Sequence, residues 1–427
     1  MGLALRALTV LREEGAIQLT KRIAGYGRKT FLMWRDPEKF VADRNHRIAL
    51  NEYDDRLEVI SATPRDLTIE TTTKCNLRCP MCWHVFPNRV KSQDIPEEFI
   101  DVLGDYIKRA DSIQLHGNGE PLLSQAFWMA LDRVGKARRR QPCVSINSNG
   151  LLLSEKINYR LLDSSLRDIS ISVDAANHDT YKKIRGGHLA TVLSNIENLI
   201  KMRNQSARAF PEVYLHMTLM RENIDEFPDF VELAHKLGVD KVFFWHLNED
   251  QLHDTEDWII ERDGWTFNYD EQLTSRYPEL SNRMVRAAMD RARDLGVKID
   301  TGNYKRLWFP ERAVTSAEGT TAKRSGCSDK SKVMPAPWKD IANNVECDAP
   351  WRWLVIGIDG KVRSCCHMTD ALGDLKQEDP VQIWNGPAMQ SLRRATGKHQ
   401  LHRLCRGAAC EYAHAHGGKN VSIDRCT

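Results

Sequence analysis

The stretch Thr73-Lys74-Cys75-Asn76-Leu77-Arg78-Cys79-Pro80-Met81-Cys82-Trp83 decides how the rest of the chain is read. It follows a short strand-like run, Asp66-Leu67-Thr68-Ile69-Glu70, and sets three cysteines in a C-x3-C-x2-C spacing. Three thiolates on one tight loop can ligate three irons of a cubane cluster, which leaves the fourth iron without a protein ligand. An open metal position lets another molecule coordinate and react, as in catalytic zinc sites. A zinc site or a set of buried free thiols is the competing reading. Structural zinc sites favour C-x2-4-C pairs with a distant second pair, and three clustered cysteines ahead of a βα pattern match that poorly.

Outward from this loop, strand and helix patterns alternate from about 64 to 250. Strands are predicted at Asp66–Glu70, Ser112–His116, Val144–Asn147, Asp168–Val173, Val213–Leu219 and Lys241–His246. Helices are predicted at Glu97–Arg109, with Pro96 at its start, near 126–139, and at Asn223–Leu237, which stops at Gly238. Six βα repeats with short connections predict an α/β fold, a partial (β/α)6 TIM-like barrel. The cysteine loop then sits at the C-terminal end of the first strand, where such barrels carry their chemistry. Four regions are expected: an N-terminal helical extension (1–60), the barrel (61–250), a connecting helical and irregular region (251–345) with a helix at Pro278–Leu295, and a small C-terminal cysteine-rich domain (346–427).

Composition bounds the partners. The chain has 427 residues, a net charge of +3 and 28% charged residues, too balanced to argue for nucleic acid. No apolar run is long enough for a membrane span, and no secretory signal is evident. The 11 cysteines are too sparse for a disulfide scaffold but are grouped, which reads as metal ligation in a cytoplasmic protein. Basic residues interleave the helix-like stretches Leu3–Leu11 and Ala16–Ile23. Their broken apolar face favours packing on the barrel over membrane contact.

The cysteine triplet after strand one resembles the signature of radical S-adenosylmethionine (SAM) enzymes, over about 66–250. His116-Gly117-Asn118-Gly119-Glu120-Pro121-Leu122 is similar to that family's glycine-rich segment, which implies SAM amino-group binding by Gly117, Gly119, Glu120 and Pro121. Glycines permit close backbone approach, and a carboxylate accepts from an ammonium. Asn149, in Ser148-Asn149-Gly150, resembles the family's turn after strand three. Ser170-Ile171-Ser172-Val173-Asp174 resembles the family's fourth strand, where a serine, here Ser172, and an acid lie near the ribose and methionine. Arg185 resembles the arginine that pairs with the SAM carboxylate. Met81 stands where the family commonly has an aromatic residue, and either can pack on adenine. The resemblance implies a [4Fe–4S] cluster on Cys75, Cys79 and Cys82 with an open iron, and an electron donor such as flavodoxin or ferredoxin.

A second cysteine region follows. Asp359-Gly360 reads as a hairpin turn that brings Cys347 and Cys365 together. With Ile383-Trp384-Asn385-Gly386, Cys405 and Cys410, this order resembles the SPASM or shorter twitch extension. The cysteine count departs from a full SPASM set and implies one auxiliary [4Fe–4S] cluster on Cys347, Cys365, Cys405 and Cys410. Cys366 is an alternative to Cys365, and His402, His414 and His416 are further candidate ligands. Structural zinc on the same cysteines is the competing reading.

The resemblance implies reductive SAM cleavage to a 5′-deoxyadenosyl radical that abstracts a substrate hydrogen. The expected outcome is oxidation or epimerisation of a small molecule such as a sugar or aminocyclitol. The alternative is modification of a ribosomal peptide. A more distant one is a non-enzymatic zinc or iron–sulfur protein. Cys366, Cys327 and Cys143 are candidate hydrogen-donor thiols, with inert thiols as the plainer reading of each. Trp245, His246, Trp258, Trp265 and Trp308 could line a sugar site or simply pack in the core.

Overall fold

The computed structural model describes residues 37–82, 85, 91–135, 142–247, 258–301, 308–309, 347–366, 368 and 370–405. Cys327, Cys410, Cys426, His414, His416, Trp83 and the stretches Leu3–Leu11 and Ala16–Ile23 lie outside the described residues.

Strands β1 (Asp66–Ile69), β2 (Ser112–Gln114), β3 (Cys143–Ser148), β4 (Leu166–Ser172), β5 (Glu212–Leu219) and β6 (Lys241–His246) pair in chain order, each parallel to the next. An antiparallel hairpin, β7 (Ile259–Arg262) and β8 (Trp265–Asn268), stands apart from this sheet. A short β9 (Ile299–Asp300) adds to β6 in parallel. At the other edge, β10 (Trp353–Ile356) runs parallel to β1, with Asp66 opposite Trp353 and Ile69 opposite Ile356. Antiparallel β11 (Lys361–Arg363) and β12 (Gly373–Asp374) complete it. The order β12-β11-β10-β1-β2-β3-β4-β5-β6-β9 is linear. The layer is therefore an incomplete barrel, and the cysteine-rich C-terminal region continues its sheet.

Period-two alternation gives each strand two faces. Leu67, Ile69, Ile113, Val144, Ile146, Ile169, Ile171, Val213, Leu215, Val242, Phe244, Leu354 and Ile356 are fully buried in one shared core. Each contributes about 1.5–3 kcal/mol by leaving water. The opposite face is polar and internally bonded. Thr68 Oγ1 donates to Gln114 at 3.1 Å and accepts from Trp353 Nε1 at 3.0 Å. Trp245 Nε1 donates to Thr218 Oγ1 at 3.1 Å.

Local chemistry fixes the helix ends. Ser124, Ser154 and Asn177 cap the helices Gln125–Val134, Glu155–Leu162 and His178–Arg185 by accepting from Phe127 N, Ile157 N and Thr180 N. Gly186, Gly238 and Gly296 end helices in the left-handed conformation. The expected helix Glu97–Arg109 is broken into Glu97–Val102 and Gly104–Arg109. Gly104 resists helical order in the middle of that run. The hairpin Ile259–Asn268 was not expected from sequence, since Ile259 and Ile260 lack a clear alternation.

The helix Pro37–Asp54 is pinned near its C-terminal end to residues 61–62 and to Trp351. Glu52 accepts from Ser61 N, Ser61 Oγ and Ala62 N at 2.6, 2.7 and 3.0 Å. Tyr53 packs edge-on against Trp351 at 5.4 Å. No helix among the described residues is long and apolar enough to cross a membrane.

Candidate active site and cofactor pocket

The cysteine loop leaves β1 through three buried threonines, Thr71, Thr72 and Thr73. Thr73 Oγ1 donates to Lys91 O at 2.6 Å and accepts from Gln93 N at 2.9 Å. Thr72 Oγ1 donates to Asp94 Oδ1 at 2.6 Å, and Asp94 also pairs with Lys74 Nζ at 2.6 Å. These bonds hold the start of the loop against the segment 91–95, so the three cysteines project from a braced base. Cys82 N donates to Cys79 O at 3.0 Å, a tight turn that the C-x2-C spacing requires. Trp258 Nε1 donates to Pro80 O at 2.7 Å from the buried side, and Met81 packs on the cluster containing Trp258, Phe267 and Tyr269.

Donors converge on two sulfurs. Cys75 Sγ accepts from Leu77 N at 3.4 Å and has Asn149 Nδ2 at 4.0 Å. Cys79 Sγ accepts from Arg185 NH1 at 3.5 Å. Hydrogen bonds to ligand sulfurs favour the thiolate and tune the potential of a bound cluster. Burial pushes the Cys75 thiol up, so a metal is needed to hold it ionised. No three His, Cys, Asp or Glu side chains among the described residues meet at one metal-ion position. A cubane spreads its thiolates over separate irons, a donor set that the three cysteines of this one loop fit.

Beside this loop, Glu120 N donates to Lys74 O at 2.8 Å. Gly119 lies so close to the cysteine loop that a Cβ there would meet Thr72 O at 2.5 Å and Lys74 O at 2.6 Å. A Cβ on Gly117 would meet Glu70 Cγ at 2.3 Å. Glycine is needed at both because backbone and carboxylate occupy the side-chain space. Glu120 is buried and accepts from Ser148 Oγ at 2.9 Å, Asn149 N at 2.8 Å and Leu122 N at 3.3 Å. Burial nevertheless pushes its carboxyl up to about 7, so a cation bound beside it would restore the charge. Pro121 opens the short 3-10 turn that Glu120 caps. Asn149 Nδ2 also donates to Asn76 Oδ1 at 2.7 Å, which ties the turn after β3 to the cysteine loop.

The third side of the pocket comes from β4, β5 and the helix His178–Arg185. Asp174 has φ of 62°, an uncommon conformation for a residue with a side chain. That turn aims its carboxylate inward, where Oδ1 accepts from Thr218 N at 2.7 Å and Oδ2 pairs with Arg185. Burial works against the Arg185 charge, but Asp174 and Cys79 more than offset it and raise its pKa above the usual value. Ser172 Oγ lies 3.4 Å from His216 Nδ1. Burial pushes His216 down to about 4, so the ring is neutral. Tyr181 Oη, Arg185 Nε and His216 Nε2 are buried without a hydrogen-bond partner. Orphaned polar atoms at one end of a barrel are what a polar ligand would satisfy. Glu120, Ser172, Arg185 and the loop at Gly117–Pro121 could thus hold a polar cofactor that carries an ammonium and a carboxylate.

Sequence reasoning missed Glu70, His216 and the Asp174–Arg185 pair. Glu70 and His216 occupy ordinary polar positions of an alternating strand or its end, and nothing local marks Asp174 and Arg185 as partners. Trp258 and His246 are core residues, the latter 2.7 Å from Thr274 Oγ1. Trp308 is exposed, with Arg286 5.4 Å above its ring. In the C-terminal region, Cys365 and Cys405 pack on the same core, Cys347 is half-buried, and Cys366 is exposed. Cys143, at the start of β3, is buried. His402 Nε2 lies 3.1 Å from Ser391 Oγ.

An incomplete parallel barrel with a three-cysteine loop after its first strand, a glycine–glutamate loop after its second and a sheet-extending cysteine region defines a class. The Radical SAM superfamily model matches residues 69–234, and the model of an iron–sulfur cluster-binding domain, SPASM, matches 347–411. The chain therefore carries a Radical SAM domain and, C-terminal to it, a SPASM domain. The first domain implies a [4Fe–4S] cluster and SAM, the second auxiliary iron–sulfur clusters. Among named relatives, the mycofactocin maturase MftC of Mycobacterium ulcerans is 28% identical over 177 residues, 41% of this chain and 45% of that protein. A GTP 3′,8-cyclase of Lactiplantibacillus plantarum is 33% identical over 183 residues, 41% of this chain and 52% of that one. The chain thus spans about half the length of the curated relatives it matches. Streptococcus suis SuiB superposes with a TM-score of 0.54 at 14% identity, covering 91% of this chain and 82% of that one. The SAM-bound anSMEcpe gives 0.51 at 15%, covering 81% and 87%. These two likenesses show the fold.

Proposed function

We propose that the protein cleaves SAM reductively and uses the resulting radical to remove a hydrogen atom from a peptide substrate. The observation that carries the reading is the braced loop of Cys75, Cys79 and Cys82 abutting a pocket of Glu120, Ser172 and Arg185 with unsatisfied polar atoms. When bound, cluster and SAM supply one-electron cleavage of the sulfonium to a 5′-deoxyadenosyl radical. The chain's residues do the rest. Glu120 holds an ammonium and Arg185 a carboxylate, which fixes one end of the cofactor beside Cys79. The neutral His216 and Ser172 would supply further polar contacts to the bound cofactor. Trp258 and Met81 back the cysteine loop on its buried side.

The maturases among the relatives support a peptide substrate better than the sugar or aminocyclitol expected from sequence. SuiB, a neighbour in fold, has been seen with its precursor peptide SuiA. The core positions of Trp258 and His246 also remove two rings from any sugar platform. Cys347, Cys365, Cys405 and Cys410 are proposed as auxiliary-cluster ligands, and a flavodoxin or ferredoxin as electron donor. The domain limits given above are part of this proposal, as is a cytoplasmic setting, where thiolates stay reduced.

Oxygen-free reconstitution tests it. About eight irons per chain are expected, falling to about four in the Cys75→Ala/Cys79→Ala/Cys82→Ala variant, with 5′-deoxyadenosine formed only by the parent. A parent with no iron and no SAM cleavage sinks the reading. A precursor-peptide binding assay separates peptide from small-molecule substrates.

A further inference from the structure

We propose that Glu70 is a positioning residue that couples the SAM-binding loop to the C-terminal iron–sulfur domain. The inference rests on the reading of His116–Leu122 as that loop. Glu70 follows β1 directly, between the glycine loop on one side and the β10–β11 turn on the other. Its Oε1 accepts from Asn118 N at 2.9 Å and from Asn118 Nδ2 at 2.8 Å. Its Oε2 accepts from Ile358 N at 3.2 Å. Its own N donates to Ile356 O at 3.0 Å, so the backbone is locked to β10 as well.

One carboxylate thus fills both acceptor sites with donors from two regions far apart in sequence. Gly117 rests on the Glu70 side chain with no room for a Cβ. Any movement of Glu70 therefore displaces the loop that ends in Glu120. On the other side, the turn is held to a single shape. Gly360 has φ of 85°, Gly360 N donates to Gly357 O at 2.9 Å, and a Cβ on Gly357 would stand 2.9 Å from Asp359 Oδ1. That turn leads through β11 into Ser364 and Cys365. A charged acceptor bridging two N–H donors on separate elements transmits displacement because losing either bond leaves a carboxylate oxygen unsatisfied. The other end of the β1–β10 pair is held by Arg352, which pairs with Asp66 at 2.9 Å and Asp348 at 3.5 Å. Binding at one loop then alters the order of the other, and the coupling is reciprocal.

Hydrogen exchange on the reconstituted protein, with and without SAM, reads the coupling directly. In the parent, SAM should protect the amides of 116–120 and also those of 357–360. In Glu70→Ala, SAM should still protect 116–120, with affinity weakened about tenfold, while 357–360 no longer responds. Glu70→Gln keeps an oxygen for Asn118 but turns an amide nitrogen toward Ile358 N, and it should break the transmission with less loss of SAM affinity. Glu70→Gln also serves if Glu70→Ala does not fold. Protection confined to 116–120 in the parent, or protection of 357–360 that survives both substitutions, overturns the proposal. If SAM protects 116–120 in none of the proteins, the failure lies in the reading of the loop itself.

Discussion

Glu120 and His216 are shifted in opposite directions by the same cause, burial, and each gives a pH signature. The Glu120 carboxyl, pushed up to about 7, must ionise to hold an ammonium. SAM affinity should therefore rise with pH between about 6 and 7.5, as measured by equilibrium dialysis. Glu120→Gln should flatten that dependence and weaken binding on the order of tenfold to a hundredfold. For His216, the unfolded chain binds a proton near 6.5 and the folded one only near about 4. Stability is present above 6.5 and falls as pH drops through that window, by ~3 kcal/mol in all. His216→Phe keeps the contacts with Phe243 and Trp245 and should remove this part of the acid slope in denaturant titrations at pH 4.5, 5.5 and 7. A slope unchanged in the variant would assign the acid sensitivity elsewhere. Spacing and flanking residues mark Cys75, Cys79, Cys82, Glu120 and Arg185 as candidates in the sequence, and the structure brings them to one end of the barrel. Glu70 and His216 were not legible there, since a polar residue at an alternating position carries no label until its neighbours are known.

Loops and turns impose their own constraints. Gly119→Ala puts a Cβ against two backbone carbonyls that cannot swing away, Thr72 O and Lys74 O. The cysteine loop and the glycine loop must then separate. We expect SAM binding to fall at least tenfold, while the far-UV spectrum and melting temperature change little, since the clash lies at the barrel's open end. Gly360→Ala strains a positive φ and drives a methyl to 2.7 Å from Phe99 Cε2. It should cost about 1–3 kcal/mol of stability by chemical denaturation. The βα alternation was readable because apolar positions repeat every second residue in strands and helix stops carry glycine. Strand limits differ from expectation by one or two residues at most ends, as for β2, which closes at Gln114 rather than His116. Pairing geometry, not side-chain pattern, sets those limits.

Over the whole molecule, the C-terminal region behaves as part of the barrel. Leu354 and Ile356 of β10 share the core of Leu67 and Ile69, and Trp384 Nε1 reaches back to Ala62 O at 2.8 Å. Leu354→Ala should cost about 2–5 kcal/mol, and barrel and C-terminal probes should melt together. Two separate transitions, with only the second shifted by the substitution, would show that the shared sheet does not couple them.

The sequence by itself determined the class of fold, the three-cysteine loop and the glycine–glutamate loop, because these depend on local spacing and residue type. Tertiary structure decided what lies between distant segments. The parallel pairing of β1 with β10 joins residues separated by most of the chain. The bridge from Asn118 through Glu70 to Ile358 and the pairing of Asp174 with Arg185 likewise follow from topology. No local pattern encodes which strand edge is left open for a later strand to fill, and that edge is where the C-terminal domain meets the pocket.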